Sequence, residues 1–399
     1  MSVAIAKIEN EVILPGRRDN RAWFEPGIAV VPVPGVVCPE VFVVAKLLTG
    51  NDVGPLFFLR TRDLGKTWTP AALSRNWHKV PLADHVFEEP WFVPFYHTKS
   101  QQLLALGNTH FVVDEGKDSG QKNEHHVRLP GRDPSAVYSL WREQQQDFLP
   151  WQRLSLPENL SLGLYYAGQK HECPDGTILV PGYYYKGPAK TSAPEHVCVT
   201  VLRLEFRDGE LRFLEHGSVH VIEEKRGLAE PSLICCNGQF FLTVRHDARG
   251  YVARSDDGLE FQPLQPWLFD DGETLGNYNT QQHWLKHDNR LFLVYNRKSE
   301  LNHGVFRSRA PLFVAEVDQE RLCVIRDSER ILIPEQRARM GNFAIADVTA
   351  DESWVITGDW LEGMFSGVQP GDRFYVDSPT INYNQYIGDL LLARVIWQP

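Results

Sequence analysis

Polar residues recur at matching places ahead of short apolar runs: Glu25, Glu89, Gly168 or Gln169, Glu230, Gln281 and Asn342. A second set closes the runs that follow: Lys46, Asn108, Tyr183, Arg245, Asn296 and Asp359. Carboxylates and amides brought onto one axis suit a ligand rich in hydroxyl groups, which both donate and accept. His171, His246 and His283 stand near the same places, where a ring nitrogen can bond either a ligand or a neighbouring backbone group. Two chemistries follow from these types. Glycoside hydrolysis uses two carboxyl groups, one protonated and one ionised. Glu230 beside Arg245, which would keep it charged, is a candidate for the ionised one, with Glu25 and Glu89 binding hydroxyls. β-Elimination from a uronic acid needs a cation for the carboxylate, a base and an acid. Arg245, His246 or His283, and a tyrosine such as Tyr184 supply those types. A non-catalytic glycan-binding protein would present the same groups.

The elements that must position them read as strands. Runs rich in β-branched and aromatic residues cover 28–32, 41–46, 240–244, 291–295, 354–357 and 390–397. Gly, Pro, Asn and Asp punctuate them, as in Pro174-Asp175-Gly176, Asn237-Gly238 and Asp288-Asn289. The unit of polar residue, strand, turn and second strand occurs six times, with a period of roughly 60–65 residues, enough for a four-stranded propeller blade. The spacing predicts an all-β, six-bladed propeller in a single domain, 1–399, with seven blades as the alternative. The stretch 324–334, ending Ile331-Leu332-Ile333-Pro334, resembles 5–15, ending Val12-Ile13-Leu14-Pro15. The N-terminal segment is therefore expected as the outer strand of the last blade, paired in one sheet with 390–395.

Composition narrows the partners. Fifty-one acids against 41 bases, a formal charge of -10, argue against a nucleic-acid backbone. No apolar run approaches the ~20 residues of a membrane span. The first residues carry Glu9 and Glu11 and no long apolar stretch, so no signal peptide is expected. Six thinly spread cysteines without metal-ligand spacing predict free thiols in a reducing cytoplasm. The expected partner is an oligosaccharide or glycoside, with no nucleic acid, membrane, metal or cofactor. The polar stretch 117–132, containing His125-His126, reads as a long loop above the propeller mouth.

Thr61-Arg62-Asp63-Leu64-Gly65-Lys66-Thr67-Trp68 fits the Asp-box pattern, a turn in which an aspartate accepts backbone N–H groups and an aromatic packs beneath. Arg254-Ser255-Asp256-Asp257-Gly258-Leu259-Glu260-Phe261 is a second copy, aligned on Asp256. With these boxes the chain resembles the sialidase superfamily of six-bladed propellers. The resemblance implies that Glu230 is the glutamate that polarises a nucleophilic tyrosine. It implies that Arg245 belongs to a carboxylate-binding arginine triad, with Arg307 or Arg309 as a further member. It places Asp52, in Asn51-Asp52-Val53-Gly54-Pro55, as the acid/base aspartate. Two departures accompany it. Glu25-Pro26-Gly27 stands where that superfamily has Arg-Ile-Pro, and Gly341-Asn342-Phe343 stands in the region of the tyrosine. These departures imply a substrate other than a standard sialoside.

Overall fold

A computed structural model of the chain describes residues 4–16, 22–48, 52–114, 124–127, 129, 132–158, 160, 165–166, 168–185, 196–336, 338–360 and 388–398. Its strands form six antiparallel sheets that follow one another along the chain as the blades of a propeller. Blade one holds Trp23–Val31, Glu40–Leu47, Leu56–Thr61 and Ala72–Leu73. Blade two is built on Val86–His97, Gln102–Asp114 and Ala136–Arg142. Blade three is built on Thr177–Tyr185, Val197–Arg207 and Glu210–His216, with His171–Glu172 innermost. Blade four holds Leu228–Cys236, Gln239–His246 and Tyr251–Ser255. Blade five holds His283–His287, Arg290–Tyr295 and Leu312–Asp318, edged by Arg330–Ile333. Blade six holds Phe343–Thr349, Glu352–Gly358 and Leu390–Trp397, and its outer strand is Ile5–Leu14.

Middle strands such as Glu40–Leu47 are buried throughout, which is why they read as continuous apolar runs rather than as alternation. Six apolar clusters lie between successive blades. One joins blades six and one through Val43, Leu59, Trp354 and Leu392, so the last blade packs on the first. Closure follows the sequence reading: Val12 faces Leu391 and Leu14 faces Leu390 in one antiparallel pair. Tyr184 is part of the apolar cluster between blades two and three, beside Leu106 and Ile178. It is therefore withdrawn from any elimination chemistry.

Two turn details differ from expectation. In blade one, Asp63 accepts from Thr61 Oγ1, Thr67 N and Thr67 Oγ1, at 2.8, 2.9 and 2.6 Å. In blade four the corresponding carboxylate is Asp257, which accepts from Ser255 Oγ and from the N–H groups of Leu259 and Glu260. The hydroxyl-to-glycine spacing is one residue shorter there, from Ser255 to Gly258 against Thr61 to Gly65, so the register moves from Asp256 to Asp257. The stretch 117–132 is not all loop. Glu124–His126 pairs with the end of Gln102–Asp114, covering an edge that the overlong second strand of blade two would leave bare. Residues 117–123, 128, 130 and 131 lie outside the described residues. Among the described residues, no helix is long and apolar enough to cross a membrane.

Candidate functional site

In an up-and-down blade the first strand starts, the second ends and the third starts at the same mouth. Glu25 and Glu230 start first strands, Lys46 and Arg245 end second strands, and Arg309 precedes a third strand. The three Glu-Pro pairs of the sequence do not behave alike. At Glu25-Pro26 and Glu230-Pro231 the strand register breaks, since proline has no N–H for the ladder, and the glutamates take φ of 46° and 47°. Left-handed backbone at a non-glycine residue costs about 1–2 kcal/mol and is retained where the surroundings enforce it. At Glu89-Pro90 the pairing runs unbroken, Glu89 opposite His110 and Pro90 opposite Thr109. Glu89 therefore stays in the ladder, two residues before Trp91 on the same face of the strand.

Glu230 and Arg245 form an ion pair of 2.6 Å, both largely buried. Arg245 also donates to Asn279 Oδ1, and Arg309 Nη2 donates to the Asn279 carbonyl at 2.7 Å. Asn279 thus ties the second arginine to the first. Arg309 is packed so tightly that a Cβ on Gly341 would lie 2.3 Å from its Cδ, which explains the glycine. Arg339 brings a third guanidinium. It lies 3.4 Å from the centroid of the Trp360 ring, and its Nη2 is 3.8 Å from Asp52 Oδ1. Burial alone would raise the Glu230 pKa. Arg245, then Arg309 and Arg226, outweigh it and hold the carboxyl ionised. Burial, with repulsion from Arg245 and Arg339, opposes the charge on Arg309. An arginine does not shed its proton, so this opposition becomes a demand for an anion. Glu230 Oε2, Arg245 Nε and Arg309 Nε meet no hydrogen-bond partner among the described residues.

On the blade-one side, Lys46 Nζ is 2.8 Å from Glu25 Oε2 and donates to the Asp52 carbonyl at 3.1 Å. His126 Nε2 donates to the same carbonyl at 3.2 Å, so the strand that covers blade two also fixes the Asp52 loop. Asn342 Nδ2 donates to Glu25 Oε1 at 3.3 Å. Burial pushes the Glu25 carboxyl up. Lys46 opposes the rise, and Asp52 and Glu230 add to it.

Below this level a cavity of about 190 Å³ runs along the axis. Glu25, Gln281, His283 and Asn342 line it together with Lys170, Trp91 and Phe343. His283 is pinned between Ser232 Oγ at 2.9 Å and Gln281 Oε1 at 3.2 Å, and burial depresses its pKa to about 3, so it is neutral. Gln169 is spent on backbone: its amide bonds both the N–H and the carbonyl of Trp284.

The other expected residues fall elsewhere. His171 packs edge-on against Phe240, 5.3 Å between ring centroids, and is not part of the axial lining. His246 lies next to Arg245 but is used internally. Ala248 N donates to its Nδ1, and its Nε2 donates to the Glu224 carbonyl. Asp52, Glu230, Arg245 and Arg309 come together, and Glu25, Gln281, His283 and Asn342 form the tier beneath. Arg339, Asn279 and Lys170 were not singled out from sequence. An arginine two residues before Gly341 was the available signal for Arg339. Among the described residues, no group of three or more His, Cys, Asp or Glu is placed to hold a metal ion.

No protein-family model and no curated protein matches the chain. Solved structures do. A protein of unknown function from Dyadobacter fermentans superposes with a TM-score of 0.63 at 13% identity, covering 99% of this chain and 100% of that one. The NanB sialidase from Streptococcus pneumoniae gives 0.60 at 11% identity, over 97% of this chain and 69% of that one. The Trypanosoma rangeli sialidase gives 0.55 at 10% identity, over 97% of this chain. The fold is sialidase-like. The chain spans 59% of the length of the trypanosomal enzyme, and at these identities the likeness concerns the course of the backbone.

Proposed function

We propose that the chain is an exo-acting glycoside hydrolase for glycosides bearing an anionic group. The observation that carries this reading is the meeting of three guanidinium groups, Arg245, Arg309 and Arg339, from three blades, with two carboxylates, Glu230 paired with Arg245 and Asp52 beside Arg339. Guanidinium groups clustered in excess of their paired carboxylates fit a carboxylate or sulfate on the substrate. Convergence on a point at the axis suits a chain end better than an internal segment. Asp52 is the acid for the leaving oxygen, and ionised Glu230 is the base, using its unpartnered Oε2 on a water. The sialidase-like fold of the structural neighbours supports a glycosidase without naming the sugar.

The test is a panel of aryl glycosides, with and without a carboxylate or sulfate, assayed for aglycone release. Release from the anionic members is expected, and Asp52→Asn should lower kcat by ~10²–10⁴-fold with anion affinity retained. Binding without turnover would assign a glycan-binding propeller instead. A product absorbing in the ultraviolet as an unsaturated uronate would assign a lyase.

A further inference from the structure

The axial cavity holds a feature that the hydrolytic reading does not use. Lys170 enters it from the loop ahead of His171–Glu172, and among the described residues its Nζ makes one hydrogen bond, to the Gly168 carbonyl at 3.2 Å. Gly168 is fixed there by backbone: φ is +48°, and a Cβ would lie 2.2 Å from the Pro231 carbonyl oxygen. The lysine is thereby held in place by a turn that only glycine can make. No carboxylate forms an ion pair with Lys170 among the described residues, and burial lowers its pKa to about 8, with no opposing charge to support the ammonium. Glu25, the one carboxylate in the lining, is committed to Lys46.

The amide opposite is oriented as well. Gln281 Oε1 faces His283 Nε2 at 3.2 Å, so the neutral imidazole donates from Nε2 and its Nδ1 accepts from Ser232 Oγ at 2.9 Å. That leaves the Gln281 NH2 group directed away from the histidine as a donor. A cavity needs about 10–15 Å³ to hold one water, so the space of about 190 Å³ takes a polyatomic ion with water to spare. Ile28, Val93, Phe95 and Phe343 supply apolar wall between the polar groups.

We propose that this axial cavity is a second, separate anion site, taking a small oxyanion with Lys170 as its counter-charge and the Gln281 amide as a further donor. A free inorganic anion and the carboxylate of a sugar acid share this chemistry.

The arginine cluster above would also take anions, so the test is made in an Arg309→Met chain. The probes are sodium sulfate and sodium glucuronate, each followed as the rise in Tm with concentration and by calorimetric titration. Saturable binding of either probe is expected, and it should fall at least tenfold when Lys170→Met is added. Response to sulfate identifies a free anion as sufficient; response to glucuronate alone identifies a sugar-borne carboxylate. Gln281→Leu should weaken the same binding several-fold, and it carries the test if Lys170→Met does not fold. Binding that is unchanged by both substitutions, or absent for both probes, overturns the site. None of these readouts needs turnover, so the result stands apart from that of the glycoside panel.

Discussion

Arg245 and Arg309 carry the same group in opposite circumstances. Arg245 neutralises Glu230 at 2.6 Å in a buried pair. Removing one member of such a pair leaves the other charged and unpaired, at a cost of about 3–5 kcal/mol. Arg245→Met is therefore expected to lower unfolding stability in urea by that amount. Adding Glu230→Gln should recover most of it, because the stranded charge is then gone. Full additivity of the two losses would show that the pair is not coupled. Arg309 has burial and three neighbouring arginines, Arg245, Arg339 and Arg307, against its charge, with Glu230 in its favour. Arg309→Met is expected to melt no lower than the parent chain, while affinity for an anionic glycoside falls at least tenfold. A residue that costs stability and supports binding is the signature of a functional position. A large drop in Tm for Arg309→Met would make it a brace instead.

At the scale of elements, sequence told which segments become strands better than it told where their side chains go. Glu25-Pro26, Glu89-Pro90 and Glu230-Pro231 are indistinguishable as dipeptides, yet only two of them bulge. The difference shows in the ladder and not in the dipeptide: Gln102–Asp114 pairs in register through Glu89 to Val86, whereas pairing skips Glu25-Pro26 and Glu230-Pro231 and resumes beyond them. His246 was readable as a strand-end residue beside Arg245, but its capture by Glu224 and Ala248 depends on loop conformation. Asp359, read as a member of the second polar set, directly follows its strand, which ends at Gly358, with consequences for pH dependence. Burial, then repulsion from Asp389, pushes its carboxyl to about 8, against the N–H groups of Asp389 and Gly388. An unfolded aspartate titrates near 3.9, so between about pH 4 and about pH 8 the folded chain holds a proton that the unfolded chain has released. The contribution is present in full below pH 4 and is lost as pH rises, by at most ~1.4 kcal/mol per unit. Asp359→Asn is expected to leave stability near pH 4 little changed and to raise it near pH 8, flattening the profile of Tm against pH. Parallel profiles for the two proteins would refute this.

For the whole molecule, the ring is what makes the mouth a site, because residues from blades one, four, five and six meet only if the last blade closes on the first. The repeat of 5–15 in 324–334 made that closure legible, since two segments alike in pattern take the same outer place in successive blades. Closure is held by more than strand pairing. Arg394 donates to Glu11 at 2.9 Å and to Glu352 at 2.8 Å, joining three strands of blade six. Gln398 N donates to the Ala4 carbonyl at 2.8 Å, and Asn10 donates to the Leu332 carbonyl of blade five at 3.1 Å. Removing residues 1–14 would bare the edge of Leu390–Trp397 and uncover Trp397 and Val395, which are buried against blade five. The truncated chain is expected to lose its cooperative thermal transition or to melt at least 10 °C lower, and to self-associate through the open edge. A synthetic peptide of residues 4–15, added in excess, should restore both the transition and the elution volume of the full chain, because it supplies the missing ladder and the Glu11 carboxylate. A Glu11→Gln version of the peptide should restore less, since Arg394 then keeps Glu352 alone. If the truncated chain melts like the full one, the outer strand is an ornament of blade six, and the ring is held by the inter-blade apolar clusters.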